Sequence, residues 1–136
     1  MTNHPLSRRI PEVLELAPDS RAIEYDREWS SWAQLGVAAR RVAGGVAPAT
    51  RVGILLRNTP AHVAAVLGVL LAGGCIVVIN PSRGDERTHS DIKDLDLPIV
   101  IGTAEDIAQL VGPDSPATVV TIADLDDAPQ VRPGRR

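Results

Sequence analysis

Phenylalanine is absent from the 136 residues, and two tryptophans and one tyrosine make up the whole aromatic complement. A core without rings has to be filled by Val, Leu, Ile and Ala, the side chains that favour buried strands and the helices over them. Cysteine occurs once, at Cys75, which excludes an internal disulfide. Set in an apolar run, Cys75 is expected to be a small buried hydrophobe. Lysine also occurs once, at Lys93, and the rest of the basic charge is arginine. The net charge of −3 offers no basic surplus for nucleic acid. His4, His62 and His89 stand too far apart to form a local metal motif, and no cysteine cluster accompanies them. Also missing are a Gly-x-Ser-x-Gly nucleophile elbow and a glycine loop that follows a strand and wraps a phosphate. Residues 1–12 hold charges and prolines but no apolar stretch, so no secretory leader is expected and a cytoplasmic location is.

One apolar run is long enough to need a decision. Val63 to Ile79 carries no charge over 17 residues, the short limit for a membrane span. Gly73-Gly74 divides it and its second half is β-branched, so it reads as a helix followed by a strand, with no membrane span.

The remaining pattern alternates helices and strands. Arg9 to Leu16 reads as a short helix with Pro11 in its first turn. Ala22 to Tyr25 and Glu28 to Ser30 read as a hairpin around Asp26-Arg27. Ser30 or Ser31 can cap a helix from Trp32 to Val46, whose apolar positions Trp32, Leu35, Ala39, Val42 and Val46 recur at spacings of three and four. Arg51 to Leu56 is apolar on both faces, as a central parallel strand is. Asn58 or Thr59 then caps a helix over Ala61 to Ala72, with Pro60 in its first turn and Gly73 at its end. Cys75 to Ile79 is expected to be the next buried strand, Asp85 to Leu95 a weakly apolar helix, and Pro98 to Ile101 a third strand. Thr103 to Asp106 resembles a capping box opening a helix to Val111, and Ala117 to Ile122 is the fourth strand. Residues 123–136 hold Pro129, Pro133 and Arg135-Arg136 with no core pattern, and are expected to form a poorly ordered tail.

This predicts one α/β domain over residues 1–122: a three-layer sandwich around a mostly parallel sheet of about four strands, plus a small N-terminal hairpin. Chemistry in such a sheet sits beyond the carboxyl ends of its strands. The junction Arg57-Asn58-Thr59-Pro60 lacks glycines and loses one donor at Pro60, so capping is its expected role. Asn80 to Gly84 is the other junction to watch; its Arg83-Gly84-Asp85 reads as a turn into a helix. Asp91, Asp94 and Asp96 read as a solvated face beside Lys93.

Several phrases, in order, resemble the opening part of the adenylate-forming acyl-CoA synthetases. They are Trp29-Ser-Ser-Trp32-Ala-Gln-Leu35, Arg51-Val-Gly-Ile-Leu-Leu-Arg-Asn58-Thr-Pro60 and Leu70-Leu-Ala-Gly-Gly-Cys-Ile-Val-Val-Ile-Asn80-Pro81, followed by Ile92 to Ile101. The match covers residues 10 to 112. Asn58 and Asn80-Pro81 look more like CoA ligases than peptide-synthetase adenylation domains. Departures are a short loop from Gly44, Thr50 where an Asp is common, and a polar helix after Pro81. The resemblance implies an enzyme that uses Mg-ATP to convert a carboxylic acid, such as a fatty acid, to an acyl-adenylate and then an acyl-CoA. The family's phosphate loop, nucleotide contacts and catalytic Lys have no counterpart here. No catalytic, cofactor-binding or metal residue is therefore assigned, and the chain is expected to be an N-terminal scaffold fragment, inactive alone. ATP, Mg and CoA are implied only for the complete family member. The expected partner is the remainder of the ligase, on the same or a separate polypeptide. A homo-oligomer through exposed apolar surface is a further expectation. The alternative reading is a stand-alone interaction or oligomerisation module derived from that family.

Overall fold

The computed structural model describes residues 9–12, 16, 19–25, 27–82, 84–112 and 115–133. The expected first helix falls partly outside these; residues 9–12 are helical. The hairpin forms as β1 (Arg21–Tyr25) and β2 (Glu28–Ser31), paired antiparallel as a separate two-stranded sheet. Ser31 caps α1 (Trp32–Ala43): its Oγ accepts from the Gln34 N–H at 3.1 Å, while the Gln34 side chain accepts from the Ser31 N–H at 2.9 Å. The helix stops short of Val46, which is nevertheless buried.

The main sheet consists of β3 (Arg51–Leu55), β4 (Cys75–Ile79), β5 (Ile99–Thr103), β6 (Thr118–Ile122) and β7 (Gln130–Arg132), in the order β4-β3-β5-β6-β7. The first four are parallel, and β7 pairs antiparallel to β6. Between them lie α2 (Pro60–Leu71), α3 (Asp85–Leu95) and a short α4 (Ala104–Asp106) that widens into a π-helical turn over Ile107–Val111. That wide turn, where an α-helix was expected, buries Ile107, Leu110 and Val111 together.

The chain steps from β3 outward to β4, then returns past β3 to β5 and on to β6. Right-handed crossovers running in opposite directions place their helices on opposite faces. Accordingly Val52 and Ile54 of β3 pack with Val42 of α1 and Ala65 and Val69 of α2. On the other face Leu55, Val100 and Val119 pack with Ile92 of α3 and Leu110. The two helices of the first face approach closely at Gly68, where a Cβ would sit 2.5 Å from the Ala39 carbonyl oxygen and 2.7 Å from the Val42 Cβ. The end of α2 is a Schellman motif, with Gly73 N–H donating to Leu70 O at 3.0 Å and Gly74 N–H to Val69 O at 2.9 Å. Gly73 has φ 79, the left-handed backbone this motif requires.

Three expectations need correction. Cys75 is exposed rather than buried, because β4 is the outer strand of the sheet and not a central one. For the same reason Val78 keeps 60% of its surface in solvent. The mostly parallel sheet is as expected, with four parallel strands, but part of the segment expected to be a poorly ordered tail adds a fifth, β7. β6 would otherwise present an open ladder of N–H and C=O groups, and pairing with Gln130–Arg132 satisfies it.

Candidate functional site

The reversal of strand order lies between β3 and β5, and a crevice beyond their carboxyl ends is where open α/β sheets bind ligands. Two junctions flank it: Leu56 to Pro60 after β3, and Thr103 to Asp106 at the end of β5.

Each junction is first organised by its own cap. Thr59 caps α2, accepting from the His62 N–H at 3.2 Å, and Pro60 occupies the first turn where a missing N–H loses nothing. Thr103 caps α4, accepting from the Asp106 N–H at 3.1 Å. The caps aim their neighbours at one another across the crevice. The Arg57 guanidinium donates through Nε to Asp106 Oδ2 at 2.6 Å and through Nη2 to Asp106 Oδ1 at 2.7 Å. This is a two-pronged pair with the geometry that makes arginine–carboxylate bonds strong. Asp106 is buried, while the Arg57 side chain stays partly in water. Hydrogen bonding from Arg57 holds the Asp106 carboxyl below its ordinary 3.8, against burial, which acts to raise it. The same bond keeps Arg57 more firmly protonated.

His62 completes the cluster from the first turn of α2. Its Nδ1 lies 2.6 Å from Thr59 Oγ1, and its Nε2 is buried without a hydrogen-bond partner among the described residues. Burial pushes the imidazole below its ordinary 6.5, the nearby Asp106 charge opposing this. A buried neutral histidine beside a fixed ion pair is a structural arrangement. At this crevice the Arg57 fork directs its Nε and one Nη2 donor to Asp106, and the Thr59 hydroxyl is engaged with His62.

The remaining junction, Asn80 to Gly84, is also closed on itself. Asn80 Oδ1 accepts from the Ser82 N–H at 2.9 Å, an Asx turn, and Pro81 is buried. The helix that follows has no side-chain cap and carries Asp85 and Glu86 in its first turn, which repels an anion there. The three junctions therefore do not make a triphosphate cradle. The Arg83-Gly84-Asp85 turn falls partly outside the described residues.

A cleft of about 390 Å³ sits at the opposite end of the sheet. Its floor includes Ile92, Leu97, Val111 and Ala117, ahead of β5 and β6, with Lys93 and His89 among its lining. His89 is fixed there by a contact of 2.9 Å from Nδ1 to Leu110 O. A smaller groove of about 260 Å³ runs between α3 and the end of β4, with Asp91 and Asp94 on its wall; Asp96 instead closes the end of α3. No group of three His, Cys, Asp or Glu residues converges on a metal position among the described residues. No helix among them is long and apolar enough to cross a membrane.

Sequence reasoning placed Arg57 and Thr59 at a junction of interest and Thr103 and Asp106 in a cap, but did not join them. Nor did it single out His62 as a buried group. A histidine in the first turn of an otherwise apolar helix, three residues after its Thr cap, was the available signal.

Comparison with known proteins supplies the family. The chain is 36% identical over 110 residues to the AMB antimetabolite synthetase AmbB of Pseudomonas aeruginosa, a match covering 79% of this chain and 9% of the relative. It is 28% identical over 132 residues to the syringomycin synthase SyrB1 of Pseudomonas syringae pv. syringae, covering 93% of this chain and 20% of that one. Among solved structures, the benzoate CoA ligase of Burkholderia xenovorans LB400 superposes with TM-score 0.73 at 21% identity, over 92% of this chain and 27% of the ligase. The nonribosomal peptide synthetase FmoA3 superposes with TM-score 0.76 at 24% identity, over 90% of this chain and 14% of the synthetase. These likenesses show the fold of the α/β sandwich, and the chain spans a small fraction of each relative's length. A CoA ligase and a peptide synthetase both stand among the neighbours, so the fold does not separate those classes. The family model described as AMP-binding enzyme matches residues 11–134, and on that match the chain belongs to the AMP-binding enzyme family.

Proposed function

We propose that this chain is the first α/β portion of an ATP-dependent, adenylate-forming ligase of the acyl-CoA synthetase type, and that it serves there as scaffold. The complete enzyme would activate a carboxylic acid, such as a fatty acid, as its acyl-adenylate and transfer the acyl group to CoA. The observation that carries the scaffold role is the Arg57–Asp106 pair, which closes the crevice where an open α/β sheet would otherwise receive a ligand. With the Arg57 fork, the Thr59 hydroxyl and the Asn80 side chain all engaged within the fold, no step of adenylation is assigned to a residue of this chain. Mg-ATP and CoA belong, on this reading, to the remaining portion of the ligase. The Asn58 and Asn80-Pro81 junctions support the CoA-ligase assignment over the peptide-synthetase one. A cytoplasmic location accords with ATP and CoA as substrates and with a lone exposed Cys75.

A domain exchange tests both halves of this reading. Residues 11–134 replace the matching segment of a benzoate CoA ligase and, separately, of a peptide-synthetase adenylation domain. The expected result is a folded CoA-ligase chimera that keeps its host's acid preference, with turnover within roughly tenfold of the host, and a poorer peptide-synthetase chimera. A folded chimera that changes its acid preference would remove the scaffold role. Equal function in both hosts would remove the CoA-ligase assignment.

A further inference from the structure

The two outer strands of the main sheet are built in opposite ways. At one edge β7 is three residues long, all exposed, with Arg132 in the strand and Pro129 and Pro133 beside it. Short length, charge and flanking proline are the features by which proteins keep an edge from pairing. At the other edge β4 has five residues, Cys-Ile-Val-Val-Ile, with no charge and no proline. Its backbone is set for pairing. Cys75 N–H donates to Thr50 O at 2.8 Å and Ile79 C=O accepts from Leu56 N–H at 3.1 Å, both toward β3. Alternation along a parallel strand then turns the N–H and C=O of Ile76 and Val78 outward.

Beside this edge lies the groove between β4 and α3. Thr88, only 2% exposed, faces it, and its Oγ1 has no hydrogen-bond partner among the described residues. Asp91 and Asp94 form its outer wall, and neither has an ion-pair partner among the described residues. Lys93, between them in sequence, lines the cleft on the far side of the helix instead. The groove is thus acidic at its rim, with an unused hydroxyl within.

We propose that β4 is a docking edge for an extended segment of another polypeptide region, which adds as a sixth strand through Ile76 and Val78 and sets a basic side chain against Asp91 and Asp94. Main-chain bonds supply the affinity of such strand addition, and the acidic groove supplies the preference. A second copy of this chain fits less well. Antiparallel pairing of two β4 strands about a twofold axis would bring both α3 helices, with their Asp91 and Asp94, to the same face of the seam, where like charges repel. The inference stands apart from the adenylation reading, since a chain without any part in that chemistry would carry the same edge.

The test is fluorescence anisotropy of the full chain with a labelled peptide of about nine residues, alternating valine and threonine around one central arginine. Val78→Pro removes an outward N–H that β3 does not use, and proline is tolerated at such positions. Wild-type chain is expected to bind saturably, and V78P to bind roughly tenfold more weakly. Exchanging the peptide's arginine for glutamate is expected to weaken binding to wild type roughly threefold. That difference should vanish in the surface variant D91N/D94N, which tests the groove independently of any effect of proline on folding. Unchanged binding by a folded V78P, an indifferent response to the arginine, or no saturation at millimolar peptide would overturn the proposal. A wild-type dimer in sedimentation that V78P dissolves would assign the edge to a second copy and overturn it equally.

Discussion

The crevice between β3 and β5 and the outer edge of β4 lie in one sheet, yet one is closed and the other open. At the crevice, caps from Thr59 and Thr103 orient Arg57 and Asp106 into a two-pronged pair, and His62 is buried beside them. At the edge, five uncharged residues show outward backbone groups and an exposed Val78. A sheet that binds a small molecule leaves its switch point open and protects its edges. This chain ties up side chains at its switch point and protects the β7 edge but not the β4 edge, an arrangement that accords with the proposed scaffold role.

The closed region should break hardest. Arg57→Ala leaves Asp106 buried without its partner and is expected to destabilise the fold by about 3 kcal/mol, the lower part of the range for such losses because Arg57 itself is partly in water. Asp106→Asn should lose less, since water can solvate the freed Arg57. Urea unfolding of the two variants measures the asymmetry, and equal losses would mean the pair is not the seal described.

The covered face of the same half of the molecule comes next. Gly68→Ala forces a Cβ toward the Ala39 carbonyl and Val42, and is expected to cost about 2 kcal/mol through the α1–α2 crossing. A neutral or stabilising result would place the helices further apart than the structure has them.

Acid should open the crevice before it touches the edge. His62 titrates lower in the fold than its ordinary 6.5, so the unfolded chain takes up the proton first, and stability falls as pH drops below 6.5. Asp106 is also depressed, so its contribution is present above 3.8 and lost as pH falls through its lower folded value. The melting temperature should therefore rise with pH in two parts, a lower one below about 4 from Asp106 and an upper one below about 6.5 from His62. His62→Gln should flatten the upper part of that rise and leave the lower part in place.

The smallest effect belongs to the edge. Val78→Lys replaces a side chain already 60% exposed and should change stability by no more than about 0.5 kcal/mol. A loss of several kcal/mol would show that β4 is held by packing its exposure does not reveal.

The sequence carried the architecture because its signals were local. Ser31 and Thr59 as caps, Pro60 in a first turn, Gly73 at a helix end and doubly apolar β3 each depend on neighbours a few positions away. The crevice was not legible in the same way: Arg57 and Asp106 are 49 positions apart, and Asp106 already made sense as a cap partner. Cys75 to Ile79 misled for a different reason. An apolar β-branched run marks a strand but does not say whether it lies at the centre or at the edge of the sheet. Gln130–Arg132 is too short and too polar to read as a strand, and forms one because β6 lies open beside it.

The central claim is that this chain scaffolds an adenylate-forming enzyme and holds no nucleotide site of its own. Thermal unfolding of the purified chain across a titration of Mg-ATP tests it most directly. Any ligand of the native state stabilises it, by about 2.7 kcal/mol at a hundred times the dissociation constant, which is a shift of several degrees. The account predicts no shift at millimolar Mg-ATP. A saturable rise in melting temperature, abolished by Arg57→Ala in a chain that still folds, would contradict it and return the β3–β5 crevice to the role of a binding site.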